Sequence, residues 1–337
     1  MASAARIPVN LITGFLGVGK TTAVRHLLAQ RPAAETWGVL VNEFGEIGVD
    51  GSLLAGQAAP VQEVAGGCLC CVAAPAFTTG LNRLIRQHRP DRILIEPSGL
   101  GHPAQVLETL SGPLYATVLD VRATVCLMDI RHLASARHRE HPTFQDQLHL
   151  ADVLVANKID LVAAAEQHAF EGFAAGLRPP KLRIAMVEHG MLDPAWLDLG
   201  RSATRRATFP EAHAFLVESG TPIEDDQQHS DQDWLRIEGR GDGYHRVGWL
   251  IRQATPCDAS KLMARVDGIS ADRKKGVLLT DKGWRSVNQS EWGVTDKPTD
   301  GRSRLEVIDP SPIDALALDA GLRRVLRADC ATSSAGY

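Results

Sequence analysis

The chain of 337 residues has no excess of positive charge and no long apolar segment. Its formal net charge is −4 and its isoelectric point is near 6.3, so no basic footprint indicates a nucleic-acid partner. No apolar run approaches the roughly 20 residues that cross a bilayer, so we expect no membrane anchor. Residues 1–6 have no signal-peptide pattern, and we therefore expect a cytoplasmic protein.

Cysteine is also scarce, with six residues in all, but three of them lie within four positions as Cys68, Cys70 and Cys71. In a reducing compartment such a cluster indicates metal or redox chemistry rather than disulfides. Three thiolates suit Zn²⁺ or Cu(I), and Zn²⁺ requires a fourth donor, for which Glu43 and nearby histidines are candidates. The alternative is a group of small buried residues with one redox-active thiol.

Residues 14–21 read GFLGVGKT, a complete G-x-x-x-x-G-K-[ST] phosphate loop. An apolar run precedes it and a helical pattern follows it, which is the context that the motif requires. We expect Lys20 to reach the β- and γ-phosphates and the Thr21 hydroxyl to bind Mg²⁺. The alternative is a chance glycine-rich turn. The predicted phosphate-binding residues are Gly14, Gly17, Val18, Gly19, Lys20, Thr21 and Thr22.

A second motif indicates which base is bound. The apolar run 153–156 ends in Asn157-Lys158-Ile159-Asp160, an N-K-x-D pattern. The Asp160 carboxylate can accept hydrogen bonds from guanine N1 and the 2-amino group, a donor pattern that adenine does not have. Asn157 would brace the loop and the Lys158 stem would cover the base. A helix cap is the alternative for N-K-x-D alone, and an ATP-dependent small-molecule kinase is a further reading of the phosphate loop.

A third candidate is Glu96, which ends the apolar run 93–95 and precedes Pro97-Ser98-Gly99. Open α/β sheets bind ligands at the carboxyl ends of their strands. Glu96 would act on Mg²⁺ through water or orient the hydrolytic water, and Gly99 would let a backbone N–H approach the γ-phosphate. The alternative role for Glu96 is a helix cap. Glu43 and Glu46 are further candidates for orienting water or metal.

The pattern of apolar runs predicts an α/β fold of the phosphate-loop NTPase type, with a mostly parallel sheet flanked by helices, followed by a smaller α+β domain. We expect a GTPase domain at 1–200, a linker at 201–232, a C-terminal domain at 233–328 and a tail at 329–337. Predicted strands of the first domain are 9–13, 37–42, 92–96, 124–128, 153–156 and 181–187. The polar segment 198–232 reads as loop because it can bury little apolar area.

Taken together, GFLGVGKT, VNEFGEIGVD, GGCLCC, EPSGLG and NKID resemble the CobW-like family of metal-chaperone GTPases. The motifs span residues 9–160 in the order of that family, and the later part of the chain resembles its C-terminal domain more loosely. The resemblance implies slow GTP hydrolysis, metal binding at Cys68, Cys70 and Cys71, and metal delivery to a client protein. Zinc is the favoured metal, with Co²⁺ as another possibility.

A rival interpretation is a GTP-dependent switch whose cysteines sense metal or oxidant and deliver nothing. Neither the client protein nor the oligomeric state can be read from the sequence. The irregularly spaced His132, His138, His141 and His149 are interpreted as solvated surface residues rather than ligands. His102 is interpreted as a loop residue that caps a helix, with a contact to a metal or to a phosphate-bound water as the alternative.

Overall fold

The computed structural model describes residues 5–42, 59–64, 74–101, 103–202, 204–205, 227–231, 233–241, 244–253, 255–295, 297–298 and 301–327. These residues divide into two compact units. The first contains the described residues up to 205 and the second those from 227 onwards.

The first unit is built on a parallel sheet, to which the described residues contribute eight strands. The strands are β1 (Ile7–Thr13), β2 (Trp37–Asn42), β3 (Val61–Val64), β4 (Arg92–Glu96), β5 (Leu119–Val121), β6 (Val125–Asp129), β7 (Val153–Asn157) and β8 (Arg183–Met186). Seven of them follow the order β3-β2-β4-β1-β6-β7-β8, and β5 pairs with the first half of β1 while β6 pairs with its end. The central strands are apolar runs that are buried on both faces, as parallel sheets covered by helices require.

Helices connect these strands and cover the sheet. One buried cluster joins helices to strands and contains Leu11, Phe77, Leu81, Ile95 and Leu107. The described α-helices are α1 (Lys20–Ala29), α2 (Ala74–His88), α3 (Pro103–Ser111), α4 (Ala136–Arg139), α5 (Pro142–Leu150) and α6 (Ala164–Gly176). Short 3₁₀ helices are Ile130–Ala134, Ile159–Leu161 and Pro194–Asp198.

In its described residues, the second unit is an antiparallel sheet of seven strands with two helices. The elements are β9 (Gln227–Asp231), β10 (Trp234–Gly241), β11 (Tyr244–Ile251), α7 (Ala259–Asp267), β12 (Arg273–Thr280), β13 (Gly283–Asn288), β14 (Glu291–Val294), β15 (Ser303–Asp309) and α8 (Ala315–Arg327). The strands follow the order β14-β13-β12-β15-β11-β10-β9. Trp234 and Trp249 are buried in the core, and both indole N–H groups donate to one carboxylate oxygen of Asp319, at 2.7 and 2.9 Å.

The predicted fold class is confirmed, with a parallel α/β unit and a separate smaller unit. The loop interpretation of 198–232 was wrong for residues 227–231, which pair with β10 as an edge strand. Backbone hydrogen bonds hold an edge strand without requiring apolar side chains, so composition did not reveal it. The domain boundaries remain a prediction, because residues 206–226 lie outside the described part of the chain. Among the described residues, no helix is long and apolar enough to cross a bilayer.

Candidate functional site

The predicted phosphate loop lies between the end of β1 and the start of α1, at the carboxyl edge of the sheet. Gly14, Gly17 and Gly19 all have positive φ, at 143°, 71° and 97°, which residues with a Cβ rarely adopt. A Cβ on Gly19 would also stand 2.6 Å from Asn157 Nδ2. The glycines therefore permit a loop that runs directly into the N-terminus of a helix, where backbone N–H groups and the helix dipole favour a bound anion.

Lys20 is the first residue of α1, and its ammonium lies across the loop. Its Nζ donates to the carbonyl oxygens of Gly14, at 2.9 Å, and Phe15, at 3.1 Å. The side chain is 8% exposed, so the cation is held at the loop and not in open solvent. A polyphosphate chain entering the loop would meet this charge directly, as the sequence predicts.

The hydroxyl of Thr21 donates to Glu96 Oε1 at 2.7 Å. The contact follows from topology, because β4 pairs with β1 and both strands end at the same edge of the sheet. Because the Thr21 hydroxyl donates its hydrogen to Glu96, its oxygen acts as an acceptor toward other groups, which is the role that a ligand of a cation has. These two residues therefore fit a Mg²⁺ ion bound to Thr21, with Glu96 orienting the hydroxyl. Thr22 follows in the first turn of α1.

Gly99 lies against the phosphate loop, as the predicted approach to the phosphates requires. A Cβ at this position would stand 2.8 Å from Leu16 Cδ2 and 2.9 Å from Leu16 N, so no larger residue fits without displacement. From the other side, Gln147 Nε2 in α5 donates to the Gly99 carbonyl oxygen at 3.0 Å. Residues from α5 therefore hold the Gly99 loop next to the phosphate loop.

Asn157 joins three loops at the opposite end of the site. Its Nδ2 donates to the carbonyl oxygen of Val18 at 2.9 Å, and its Oδ1 accepts from the N–H of Gly190, also at 2.9 Å. Asn157 is 2% exposed, so neither bond competes with bulk water. The next residue, Lys158, has φ 64°, and Asp160 follows in an exposed 3₁₀ helix. The predicted bracing contact of Asn157 is thus present in the structure.

The loop after β8 is a part of this end of the site that sequence reasoning missed. The ligand atoms of Asp160, Glu188 and His189 lie within 4.8 Å of one another, and all three residues are exposed. Among the described residues this is the one set of three acidic, histidine or cysteine side chains that converges in this way. The available signal was a glycine, Gly190, closely following a predicted strand. The group lies around Asp160, so we treat it as part of the nucleotide site.

The histidine prediction needs correction, because three of the four histidines pack beside the phosphate loop. The rings of His132, His138 and His141 lie 6.3, 5.4 and 5.0 Å from the ring of Phe15, all edge-on, and Phe144 lies at 6.0 Å. We call these four residues the histidine cage. Irregular spacing in sequence hid it, since its members come from three short helices that fold around one buried phenyl ring. His149 stays outside the cage, with Nδ1 3.0 Å from the carbonyl oxygen of Gln145.

Within the cage, His132 and His138 stack face to face with ring centroids 4.1 Å apart. Burial and the nearby His138, Lys158 and Arg131 lower the pKa of His132 to about 4, burial having the largest effect and Asp129 opposing the shift. His132 is therefore a neutral ring near pH 7.

The remaining predicted site residues lie outside the described residues: Glu43, Glu46, Cys68, Cys70, Cys71 and His102. Two described cysteines, Cys126 and Cys257, are buried and form no disulfide with a described residue. Burial raises the pKa of Cys126 to about 12, so this thiol is unsuited to bind a metal.

The loop, the Lys20 ammonium and the Thr21–Glu96 pair define a phosphate-loop nucleotide-binding protein. A family model described as the nucleotide-binding domain of CobW/HypB/UreG matches residues 8–182. The chain belongs to the CobW/HypB/UreG family, as its motifs predicted.

Relatives match over nearly the full chain. The zinc chaperone YeiR of Escherichia coli is 39% identical over 94% of this chain and 97% of its own length. The zinc chaperone CobW of Sinorhizobium is 35% identical over 86% of this chain and 96% of its own. The crystal structure of Zn(II)-bound YjiA GTPase from E. coli also matches, with 21% identity, a TM-score of 0.44, and coverage of 95% of this chain and 99% of that one.

Proposed function

We propose that this chain is a Mg²⁺-dependent GTPase that binds a transition metal, zinc in the first place, at Cys68, Cys70 and Cys71 and delivers it to a client protein. The observation that best supports the nucleotide-binding part of this proposal is the pair of hydrogen bonds made by the Asn157 side chain. It ties the phosphate loop to the loop after β8 and so sets Asp160 at the carboxyl edge of the sheet. The metal half is supported by the cysteine cluster and by relatives that are named zinc chaperones.

In the proposed reaction, water attacks the γ-phosphorus, the bond from phosphorus to the β–γ bridging oxygen breaks, and GDP and phosphate leave. Lys20 stabilises the charge on the β- and γ-phosphates. A bound Mg²⁺ would neutralise further phosphate charge, and Thr21, oriented by Glu96, would hold it. The backbone around Gly99 sits where it can contact the transferred group, because it lies against the phosphate loop.

Guanine specificity can be tested with a variant that is expected to prefer a different base, which is more informative than a variant that only loses GTP binding. Asp160→Asn replaces one acceptor with an amide donor, which matches xanthine, whose C2 carbonyl stands where guanine has its amino group. We expect this variant to prefer XTP over GTP, whereas the native chain prefers GTP. Glu188→Gln is the matched control, since it removes a neighbouring carboxylate and should leave the preference for GTP over XTP intact. If Asp160→Asn weakens GTP and XTP equally, Asp160 does not contact the base.

Coupling between metal and nucleotide tests the chaperone half. Zinc is titrated against a chelating dye with GDP and with a non-hydrolysable GTP analogue, and we expect the two affinities to differ. A coupling of ~1–3 kcal/mol is ordinary for such switches, and linkage requires zinc to change nucleotide affinity by the same factor. The triple replacement of Cys68, Cys70 and Cys71 with Ser should remove the site. Cys257→Ser is the control, because a serine hydroxyl can still donate to the Leu279 carbonyl as the thiol does, and zinc binding should remain.

A further inference from the structure

Phe15 belongs to the phosphate loop, and three histidine rings and one phenyl ring pack against its side chain. The ring is 2% exposed and meets the histidine cage edge-on. At the same residue, the backbone carbonyl accepts from the Lys20 ammonium at 3.1 Å. A displacement of residue 15 as a whole would therefore move both the backbone of the phosphate loop and an acceptor of the Lys20 ammonium.

The cage is itself held in place by contacts that do not involve the nucleotide site. His132 lies in the 3₁₀ helix that directly follows β6, and Asp129 at the end of that strand accepts from the backbone N–H of Arg131. His141 caps α5, with Nδ1 accepting from the N–H of Thr143 at 3.2 Å. The cage thus connects β6 and α5 to the phosphate loop through one phenyl ring.

We propose that His132 and His138 are positioning residues whose stacked rings hold Phe15 and thereby keep the phosphate loop and Lys20 in the nucleotide-binding conformation. The proposal rests on the proposed function, since it assigns these histidines a role in binding GTP. They act by packing: their planes are 6° from parallel at 4.1 Å, a geometry that two imidazolium cations would oppose. The charged and titratable groups near the pair are Asp129, Arg131, His141 and Lys158.

A packing role for His132 is supported by its Nδ1 atom, which is buried and has no hydrogen-bond partner in the described part of the chain. A buried imidazole that neither donates nor accepts through this nitrogen contributes mainly its ring. The lowered pKa of His132 agrees with a ring that stays neutral around pH 7.

The test replaces the imidazole with a ring that cannot titrate or bind metal. GTP hydrolysis and GDP affinity in the presence of Mg²⁺ are measured for the full chain and for His138→Ala, His138→Phe, His132→Phe and His149→Ala. Loss of one aromatic contact corresponds to roughly two- to tenfold in affinity, so we expect His138→Ala to raise KM and Kd by that factor. Its kcat should change less, because the contact exists before and during the reaction.

His138→Phe and His132→Phe should both have the KM and Kd of the native chain, because phenylalanine keeps a ring at the contact. His149→Ala should also match the native chain, because His149 lies outside the cage. If His138→Phe is as impaired as His138→Ala while both melt at the native temperature, an imidazole nitrogen is needed and the packing role is wrong. Native GDP affinity in His138→Ala would also overturn it. A failure of the proposed function would be seen differently, because the native chain itself would then bind no GDP.

Discussion

Asn157→Ala is the substitution for which the structure makes the sharpest prediction. The side chain makes two hydrogen bonds between loops, to the Val18 carbonyl oxygen and from the Gly190 N–H, each at 2.9 Å. Asn157 is 2% exposed, so truncation leaves a buried acceptor and a buried donor without a partner. Each such group costs about 1–3 kcal/mol, which gives a loss of up to ~2–6 kcal/mol in the free energy of unfolding of the first unit, and solvent entry would reduce this figure.

Urea unfolding of the nucleotide-free protein measures the total loss, and hydrogen exchange at the Gly190 amide measures its location. We expect faster exchange at Gly190 and GTP affinity reduced by at least roughly tenfold, because the loops that hold phosphate and base are no longer tied together. Asn157→Asp should keep the bond from Gly190 and lose the bond to Val18, where a carboxylate now faces a carbonyl oxygen.

Asn10→Ala is the matched control. Asn10 is equally buried and donates to the carbonyl oxygens of Ala123 and Leu197, each at 3.0 Å. Its loss should reduce stability by a similar amount but spare nucleotide affinity in the molecules that remain folded, because none of these contacts is to the phosphate loop. Equal effects of the two substitutions on GTP affinity would refute the specific bracing role of Asn157.

Three further predictions concern stability. The pKa of His132 is about 4 in the folded chain and near 6.5 in the unfolded chain. The unfolded chain therefore binds the proton first, and the free energy of unfolding falls as the pH drops from about 6.5 to about 4. Urea unfolding at pH 7 and pH 5 should show a loss of at most about 2 kcal/mol that His132→Phe removes, and an identical loss in that variant would contradict it. Arg205→Ala breaks a buried ion pair with Asp152 at 2.8 Å and should lower the free energy of unfolding by ~3–5 kcal/mol, measured with urea. The control is Arg6→Ala, which breaks a more exposed pair with Asp120 and should cost less than about 1 kcal/mol. Equal losses in the two variants would contradict the prediction. Asp319→Ala leaves two buried indole N–H groups without an acceptor and should destabilise the second unit by ~2–5 kcal/mol, seen as faster amide exchange in β10 and β11; unchanged exchange would count against it.

Elements with a strong local pattern could be predicted from the sequence. The runs at 37–42 and 92–96 match β2 and β4 residue for residue, because each is apolar and ends at polar residues. The short strands β3 and β5 were missed. Val61–Val64 contains two polar residues within four, and it is a strand because Val39 to Asn42 supply parallel partners that lie some twenty residues away. A pattern of local hydrophobicity does not contain that information.

The candidate site divides in the same way. Lys20, Thr21 and Asn157 could be proposed as site residues from the sequence because their motifs are local and chemically demanding. The histidine cage and the loop with Gly190 were not found, because they exist only once β6, β7 and β8 align at one edge of the sheet. His132 and Phe15 are more than a hundred positions apart, and nothing in the spacing of either residue indicates the other.

These long-range contacts also explain why an eight-residue motif is sufficient to bind nucleotide only in the right fold. Within the described residues, three separate contacts stabilise the phosphate loop from the side: the cage packs on Phe15, the Gly99 backbone lies against Leu16, and Asn157 bonds to Val18. Each comes from a different strand end, so the loss of one leaves two that still hold the loop. Variants of a single support should therefore weaken GTP binding by graded amounts. Lys20→Ala instead removes the fixed cation of the loop, which no support replaces, and should abolish hydrolysis while the fold persists.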